Sequence, residues 1–189
     1  MAILNIRREG DPVLRQVARP VPKVTRRIKK LIKDMGETMY HANGIGLAAP
    51  QVGVGERVIV VDAGDGLYAL VNPRLEKEEG REVDVEGCLS LPGVLGYVER
   101  AARVVVSGLD EDGRPRRLEA EGLLARVFQH EIDHLDGVLF TDKATMVWKE
   151  ADEKIHGEAG APGSPYGPDQ EEQGCVSSSW EPPGSRCRA

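Results

Sequence analysis

Cysteine is scarce in this 189-residue chain, which contains only Cys88, Cys175 and Cys187. Small secreted domains often depend on a framework of several disulfides, and three cysteines are too few to build one. The composition therefore favours a cytoplasmic enzyme over a secreted disulfide scaffold.

Long hydrophobic runs and clusters of basic residues are also lacking. The longest purely aliphatic run covers residues 58–61, and the apolar start of the chain is too short for a signal peptide. The net charge is -6, and the basic residues at positions 26, 27, 29 and 30 are predicted to lie on the polar side of a helix. We therefore expect no membrane segment and no direct nucleic-acid site.

The length fits one folded domain, predicted over residues 1–156, followed by a tail of different composition. Residues 157–189 contain six Gly, five Pro and five Ser, and Val176 is their only branched aliphatic residue. Such a segment cannot bury enough apolar surface to offset the entropy lost on ordering. The Gly/Pro/Ser-rich tail is therefore predicted to be disordered.

The folded part is predicted to be an α+β domain. Apolar residues after Thr25, spaced as on one helix face, predict an N-terminal helix that ends near residues 43–44. Apolar or alternating segments separated by turn residues predict strands, the second of which is ended by Asn72 and Pro73. The predicted strand regions are 57–62, 67–71, 74–85, 97–107 and 116–120, with 74–85 taken as a strand pair. Asp112 and Gly113 are predicted to form a hairpin turn that leads into the last of them. Because strands and helices do not alternate, we expect mixed or antiparallel strands packed around a central histidine-bearing helix, with a short C-terminal helix over 146–155.

The histidine-bearing segment reads Gln-His-Glu-Ile-Asp-His at residues 129–134. Apolar residues recur there at helical spacing, and Gly137 ends the run. His130 and His134 are four residues apart, so on a helix both imidazoles lie on one face and can bind one metal ion. Glu131 follows the first histidine, where its carboxylate can exchange protons with a reacting water. The alternative is a helix with two ordinary histidines, because so short a motif often arises by chance.

A catalytic metal site usually has three protein ligands and one open position, so a third ligand is needed. Cys88 lies in a glycine-flanked strand region, where it is either that ligand or a small buried hydrophobic residue. Other candidates follow the helix: Asp136, Glu150, Glu153 and His156. Residues 44–53 are rich in small side chains that allow close backbone approach, and they form either part of a site around Gln51 or a tight loop.

Three segments together resemble the signature motifs of bacterial peptide deformylases, in the family's order and at roughly its spacing. They are Gly-Ile-Gly-Leu-Ala-Ala-Pro-Gln at 44–51, Glu-Gly-Cys-Leu-Ser at 86–90 and the histidine segment at 129–134. The resemblance covers residues 3–150 and includes Gly-Asp-Pro-Val-Leu at 10–14. It implies a hydrolase that removes the formyl group from the N-terminal formylmethionine of newly made proteins and releases formate.

The resemblance also implies roles for individual residues. Three match the family's metal ligands: Cys88, His130 and His134. Glu131 matches the catalytic acid and base, and Gln51 and the backbone N–H of Leu89 match the groups that hold the reacting carbonyl oxygen. Positions that match backbone contacts to the substrate are Ile45, Gly46 and Gly87, and positions that line the methionine pocket are Leu123, Val127 and His130.

The resemblance implies one divalent metal ion per chain, with Fe(II) expected and Zn(II) the alternative in the purified protein. It implies N-formylmethionyl nascent peptides as substrates, met at the ribosome exit. The chain departs from the family at residues 93–97, where many members carry an arginine. This sequence has no arginine between the cysteine motif and Arg100. The contacts at the far end of the substrate are therefore left open.

Two other functions remain compatible with the residues alone. A metallopeptidase would need a ligand downstream of the histidine helix and would cut internal peptide bonds. A non-enzymatic protein with a structural zinc would have four protein ligands and no open position. Intact Gln51, Cys88 and Glu131 argue against a family-like chain that has lost its activity.

Overall fold

The computed structural model describes residues 2–150, which form two α-helices and eight β-strands. Helix α1 covers Arg26–His41, and helix α2 covers Gly122–Leu135. The strands are β1 (Gly46–Ala48), β2 (Val58–Val61), β3 (Tyr68–Glu79), β4 (Glu82–Cys88), β5 (Leu91–Arg100), β6 (Arg103–Leu109), β7 (Pro115–Glu121) and β8 (Ala144–Lys149). Every pair of neighbouring strands among them is antiparallel, which confirms the expected α+β class. Neither described helix is long and apolar enough to cross a membrane.

Five strands form the larger sheet, in the order β1-β2-β3-β6-β7. Its two faces follow from the period-two alternation of strand side chains. Along β2, Val58 and Val60 pack with Met35 and Met39 of α1. Ile59 and Val61 point to the other side, in a cluster with Phe128, Ile132 and Leu135 of α2. The two helices therefore cover opposite faces of this sheet.

Three strands form the smaller sheet, in the order β4-β5-β8. The inner side of β5 contributes Leu91 and Val98 to a third apolar cluster with Leu139 and Phe140. On α2, Arg126 donates hydrogen bonds to the carbonyl oxygens of Val98 and Glu82, at 2.9 Å each. Helix α2 thus contacts both sheets.

The predicted N-terminal helix is confirmed, with Ile28, Ile32, Met35 and Met39 as its buried stripe. The turn at Asp112 and Gly113 is also confirmed, because β6 and β7 pair across it. The structure divides the predicted strand pair at 74–85 differently, since β3 belongs to the larger sheet and β4 to the smaller one.

Two predictions about secondary structure are wrong. Asn72 and Pro73 do not end the second strand, because β3 continues through them with a shift of register between Val71 and Arg74. Asn72 takes a positive φ of 53° there, and its side chain bonds the backbone of Val21 at 2.8 and 2.9 Å. The expected C-terminal helix is instead strand β8 up to Lys149, since pairing with β5 satisfies its backbone. Glu150 is helical, and the expected helix beyond it and the predicted disordered tail lie outside the described residues.

Gly137 follows the end of helix α2 and lies against the backbone of the N-terminal segment at Arg15. Its φ is +74°, and a Cβ added there would lie 2.8 Å from the carbonyl oxygen of Arg15. The strained φ and the backbone clash should together make Gly137→Ala cost about 3 kcal/mol of unfolding free energy, measured by denaturant titration. Gly10→Ala measures the φ strain alone, because Gly10 has a φ of +97° and nothing within 4 Å of an added Cβ. Gly55→Ala is the control without strain or clash, and it should change the unfolding free energy by less than about 0.5 kcal/mol. A Gly137→Ala protein as stable as the Gly55→Ala protein would contradict this account.

Candidate active site

The cysteine and the two histidines meet where strand β4 ends beside helix α2. The imidazole rings of His130 and His134 lie one helical turn apart on α2, with their centroids separated by 4.9 Å. The sulfur of Cys88 lies 3.3 Å from Nε2 of His134. One donor atom from each of the three residues falls within 4.8 Å of the others, and residues 2–150 contain no second group of this kind. The three side chains can therefore share one ion.

The ligand candidates downstream of the helix are not part of this group. The side chain of Asp136 is exposed to solvent and forms an ion pair with Arg57. Glu150 is exposed, and Glu153 and His156 lie outside the described residues. Among the residues that can be placed, Cys88 is the one that completes the histidine pair.

Glu131 lies beside the cluster with an oxygen that no described residue satisfies. The side chain is only 3% exposed, and its Oε2 has no hydrogen-bond partner within residues 2–150. Burial raises the pKa of Glu131 to about 7, although the charge of His130 opposes the shift. A carboxyl group with such a pKa can take up and release a proton near neutral pH.

Gly46 on β1 passes directly over Glu131. A Cβ at this glycine would lie 2.2 Å from Oε1 of Glu131 and 2.8 Å from Cγ1 of Val127. No other residue fits without moving the carboxylate. The small residues predicted to allow close backbone approach therefore do so at this position.

Gln51 is held with its amide N–H groups towards the cluster. It sits in the 3-10 helix Ala49–Val52, and its Oε1 accepts a 2.8 Å hydrogen bond from the backbone N–H of Ala48. Its Nε2 lies 3.4 Å from the Cys88 sulfur and 3.2 Å from the Ser90 hydroxyl. Because the amide oxygen is already bonded, the donor side faces the position where a substrate oxygen would lie.

The N-terminal segment joins the two predicted oxygen-binding groups, a role that the sequence did not indicate. The backbone N–H of Arg7 donates to the carbonyl of Gln51 at 2.7 Å, and that of Glu9 donates to the carbonyl of Ser90 at 3.0 Å. The Arg8 side chain donates to the carbonyl of Leu89. These contacts fix the distance between Gln51 and Leu89.

A cleft of about 800 Å³ opens over the cluster. Apart from His134, which is buried behind it, every residue predicted to act in catalysis, metal binding or substrate binding lines this cleft. Those residues are Ile45, Gly46, Gln51, Gly87, Cys88, Leu89, Leu123, Val127, His130 and Glu131. In the described part of the chain, β1 and β4 are terminal strands of their sheets, so the cleft lies between two sheet edges.

A buried carboxylate in the wall of the cleft, that of Glu86, sets the orientation of His130. Each oxygen of Glu86 accepts two hydrogen bonds: Oε1 from Arg100 (2.8 Å) and Arg126 (2.8 Å), and Oε2 from Arg100 (2.9 Å) and Nδ1 of His130 (2.9 Å). Burial alone would raise the pKa of Glu86, but these partners hold it well below its usual range. Burial would lower the pKa of His130, but its hydrogen bonds to Cys88 and Glu86 raise it to about 10, so Nε2 would give up a proton on binding an ion. With Nδ1 donating to Glu86, Nε2 is the nitrogen left to bind that ion. Burial lowers the pKa of His134, so this second imidazole is neutral.

Two acidic residues, Glu86 and Asp133, could each orient a ligand histidine or a loop arginine, and the structure distinguishes them. Glu86 contacts His130, whereas Asp133 pairs with Arg100 and with Lys143. Arg100 is buried in this cluster and does not line the cleft. Arg126, which was missed, precedes His130 by one helical turn, so helical spacing was a signal that could have found it.

The sequence and fold match known proteins closely. A model of the polypeptide deformylase family matches residues 3–150. Peptide deformylase of Acetivibrio thermocellus is 57% identical over 143 residues, which cover 76% of this chain and 84% of that protein. Peptide deformylase of Halothermothrix orenii is 54% identical over 152 residues, which cover 79% of this chain and 99% of that protein.

Solved structures agree with the sequence comparison. The crystal structure of peptide deformylase from Thermotoga maritima superimposes with a TM-score of 0.76 at 46% identity, covering 77% of this chain and 100% of that one. Peptide deformylase from Synechococcus elongatus, solved in complex with actinonin, has a TM-score of 0.74 at 49% identity, covering 76% of this chain and 79% of that one. With these matches in sequence and fold, this chain belongs to the polypeptide deformylase family.

Proposed function

We propose that this chain removes the formyl group from N-formylmethionyl nascent peptides by metal-dependent hydrolysis, with formate as the second product. The observation that carries the proposal is the buried carboxylate of Glu131 beside the donor atoms of Cys88, His130 and His134 at the floor of one cleft. In this proposal three of these residues would hold the metal ion, and Glu131 would transfer protons.

Cys88, His130 and His134 would hold one divalent ion and leave a fourth position for the reacting groups. One thiolate and two neutral imidazoles suit both Fe(II) and Zn(II), and Fe(II) is the metal that we propose from the family resemblance. The hydrogen bond from Nδ1 of His130 to Glu86 supports this fit, because it leaves Nε2 as the nitrogen that can bind the ion. The bound ion would act as a Lewis acid towards the formyl oxygen and would lower the pKa of water.

Glu131 would transfer the protons of the reaction. Its Oε2, which no residue within 2–150 contacts by a hydrogen bond, could accept a proton from the attacking water, and the protonated carboxyl group could then donate to the leaving amine. Its pKa of about 7 suits both steps, since a group titrating near the working pH gains and loses a proton with comparable ease.

Gln51 and the Leu89 N–H would stabilise the negative charge that develops on the formyl oxygen. The Gln51 amide is oriented in advance by Ala48, so it needs no reorganisation during the reaction. A single donor of this kind contributes about 3 kcal/mol to transition-state stabilisation in other hydrolases.

The substrate chain would lie in the cleft as an added strand. Ile45 and Gly46 at the β1 edge and Gly87 at the β4 edge would bond its backbone. Leu123 and Val127, with the ring of His130, would receive the methionine side chain, whose unbranched and flexible shape suits an irregular apolar pocket. We further propose that the enzyme meets these peptides as they leave the ribosome in the cytoplasm.

Removing one metal ligand should strip the metal. Cys88→Ala, His130→Ala and His134→Ala each leave two protein ligands, which hold a divalent ion poorly. We expect elemental analysis of the purified variants to show a large loss of bound metal and of formate release. Full metal content and activity in Cys88→Ala would place the third ligand elsewhere.

Glu131→Gln should separate proton transfer from metal binding. The amide keeps the shape of the side chain but cannot accept the proton of water, so turnover should fall by about 100-fold or more while metal content and melting temperature stay close to those of the parent. Elemental analysis is the control, because loss of metal in this variant would make Glu131 a ligand.

The enzyme loaded with Fe(II), Co(II) or Ni(II) should release formate from formyl-Met-Ala-Ser. It should act far more slowly on acetyl-Met-Ala-Ser, because the added methyl group must fit among Gln51, Leu89 and the metal, and more slowly when Asp replaces Met. A coupled assay measures formate, and mass spectrometry of the same samples detects internal cleavage. Internal cuts without formate would favour a metallopeptidase, and neither product at full metal occupancy would favour a structural zinc protein.

A further inference from the structure

The outer face of the smaller sheet carries six apolar side chains that lie together. The strand register sets Val85 opposite Tyr97, Tyr97 opposite Met146 and Leu95 opposite Trp148, and directly opposed residues share one face. Val83 precedes Val85 by two residues and therefore points the same way. We refer to this set as the apolar face: Val83, Val85, Leu95, Tyr97, Met146 and Trp148.

The apolar face is accessible to a ligand. Val83 is 56% exposed, Met146 60% and Tyr97 43%, whereas Gly96 and Val98 on the inner side of β5 are buried. The rings of Tyr97 and Trp148 pack against each other with their centroids 4.9 Å apart and their planes tilted by 46°, so aromatic side chains form the centre of the face. Contiguous exposed apolar side chains of this kind usually mark a binding surface.

The apolar face continues the substrate cleft without a break. Val85 and Leu95 belong to the face and also line the cleft, and the same strand β4 carries Gly87. From Gly87 back to Val83 is four residues along a strand, or about 13 Å. An extended peptide whose first residue lies at the metal cluster would therefore reach the apolar face with its fourth to sixth residues.

We propose that the apolar face binds apolar side chains at about the fourth to sixth positions of the substrate, counted from formylmethionine. This inference rests on the proposed function and adds a preference among nascent chains. None of the six side chains carries a charge, so an apolar side chain is the partner that they would select. Six residues suit a short extended peptide, whereas a stable interface between two copies needs about 20–30 residues on each side.

The test compares two formylated hexapeptides of equal length on the full chain loaded with Fe(II). Both begin formyl-Met-Ala-Ser, and one continues Ala-Leu-Phe while the other continues Ala-Ser-Asn. Burial of part of the Leu and Phe side chains should raise kcat/KM for the apolar peptide about tenfold over the polar one. The change should fall mainly on KM, because these residues lie far from the reacting bond.

Two variants show whether the apolar face causes the difference. Val83→Thr combined with Met146→Thr places hydroxyl groups on the face at two exposed positions, outside the residues that line the cleft. Val147→Thr is the matched control, since Val147 is 45% exposed on the opposite side of the same strand. The double variant should lose most of the tenfold preference, the control should keep it, and both should process formyl-Met-Ala-Ser at the parent rate.

Three results would overturn the inference: equal kcat/KM for the two hexapeptides in the parent, a preference that survives in the double variant, or self-association of the parent in light scattering that the double variant abolishes. The last result would make the face an interface between copies. Failure of the parent to release formate from formyl-Met-Ala-Ser would instead contradict the proposed function itself.

Discussion

The buried carboxylate of Glu86 is the contact on which the site depends. Its two oxygens receive four hydrogen bonds from Arg100 on β5 and from Arg126 and His130 on α2. Burying a charge is costly unless it is paired and fully hydrogen-bonded, and here both arginines neutralise it while Asp133 balances the second positive charge. Since Glu86 itself lies on β4, one side chain fixes two strands and a helix relative to each other.

The contacts of Glu86 also determine where Cys88, His130 and His134, the three candidate metal ligands, lie relative to one another. Cys88 follows Glu86 by two residues on β4, and although the register shifts between Gly87 and Cys88, both side chains contact α2. On α2, His134 follows His130 by one turn, so the cysteine meets the second histidine where the carboxylate meets the first. These contacts and the helix periodicity thus bring all three donor atoms to one point once Glu86 has set the register.

Local patterns in the sequence predicted those parts of the fold that local forces determine. The apolar stripe of α1 and the turn at Asp112 and Gly113 need only neighbours in sequence, and both were predicted correctly. Residues 146–149 have an equally helical local pattern, but pairing with β5 makes them a strand. Asn72 likewise looked like a strand end, because its bonds to Val21, which is 51 residues away, could not be inferred from local pattern.

The residues of the candidate site also fall into two groups: those that a short motif indicates, and those whose contacts join distant parts of the sequence. Short motifs indicated the residues of the predicted metal cluster and the positions of Glu131 and Gln51, because the histidine motif lies within one helix and the other two motifs each span only a few consecutive residues. The contacts of Arg100 and Arg126 with Glu86 join residues 14 and 40 positions apart, and a sequence alone does not reveal such pairs. The support around the metal was therefore less predictable than the ligands.

Within residues 2–150, two sheet edges without a partner strand face one cleft, and this arrangement would let the site accept a peptide strand as proposed. Exposed edges invite unwanted pairing between proteins, and short strands limit that risk. Strand β1 has only three residues, and its Gly46 lies so close to Glu131 that any side chain would displace the carboxylate. A peptide strand bonded at this edge would therefore have its backbone next to the proton-transfer group. In the proposed reaction, substrate alignment and proton transfer would both depend on the absence of a side chain at Gly46.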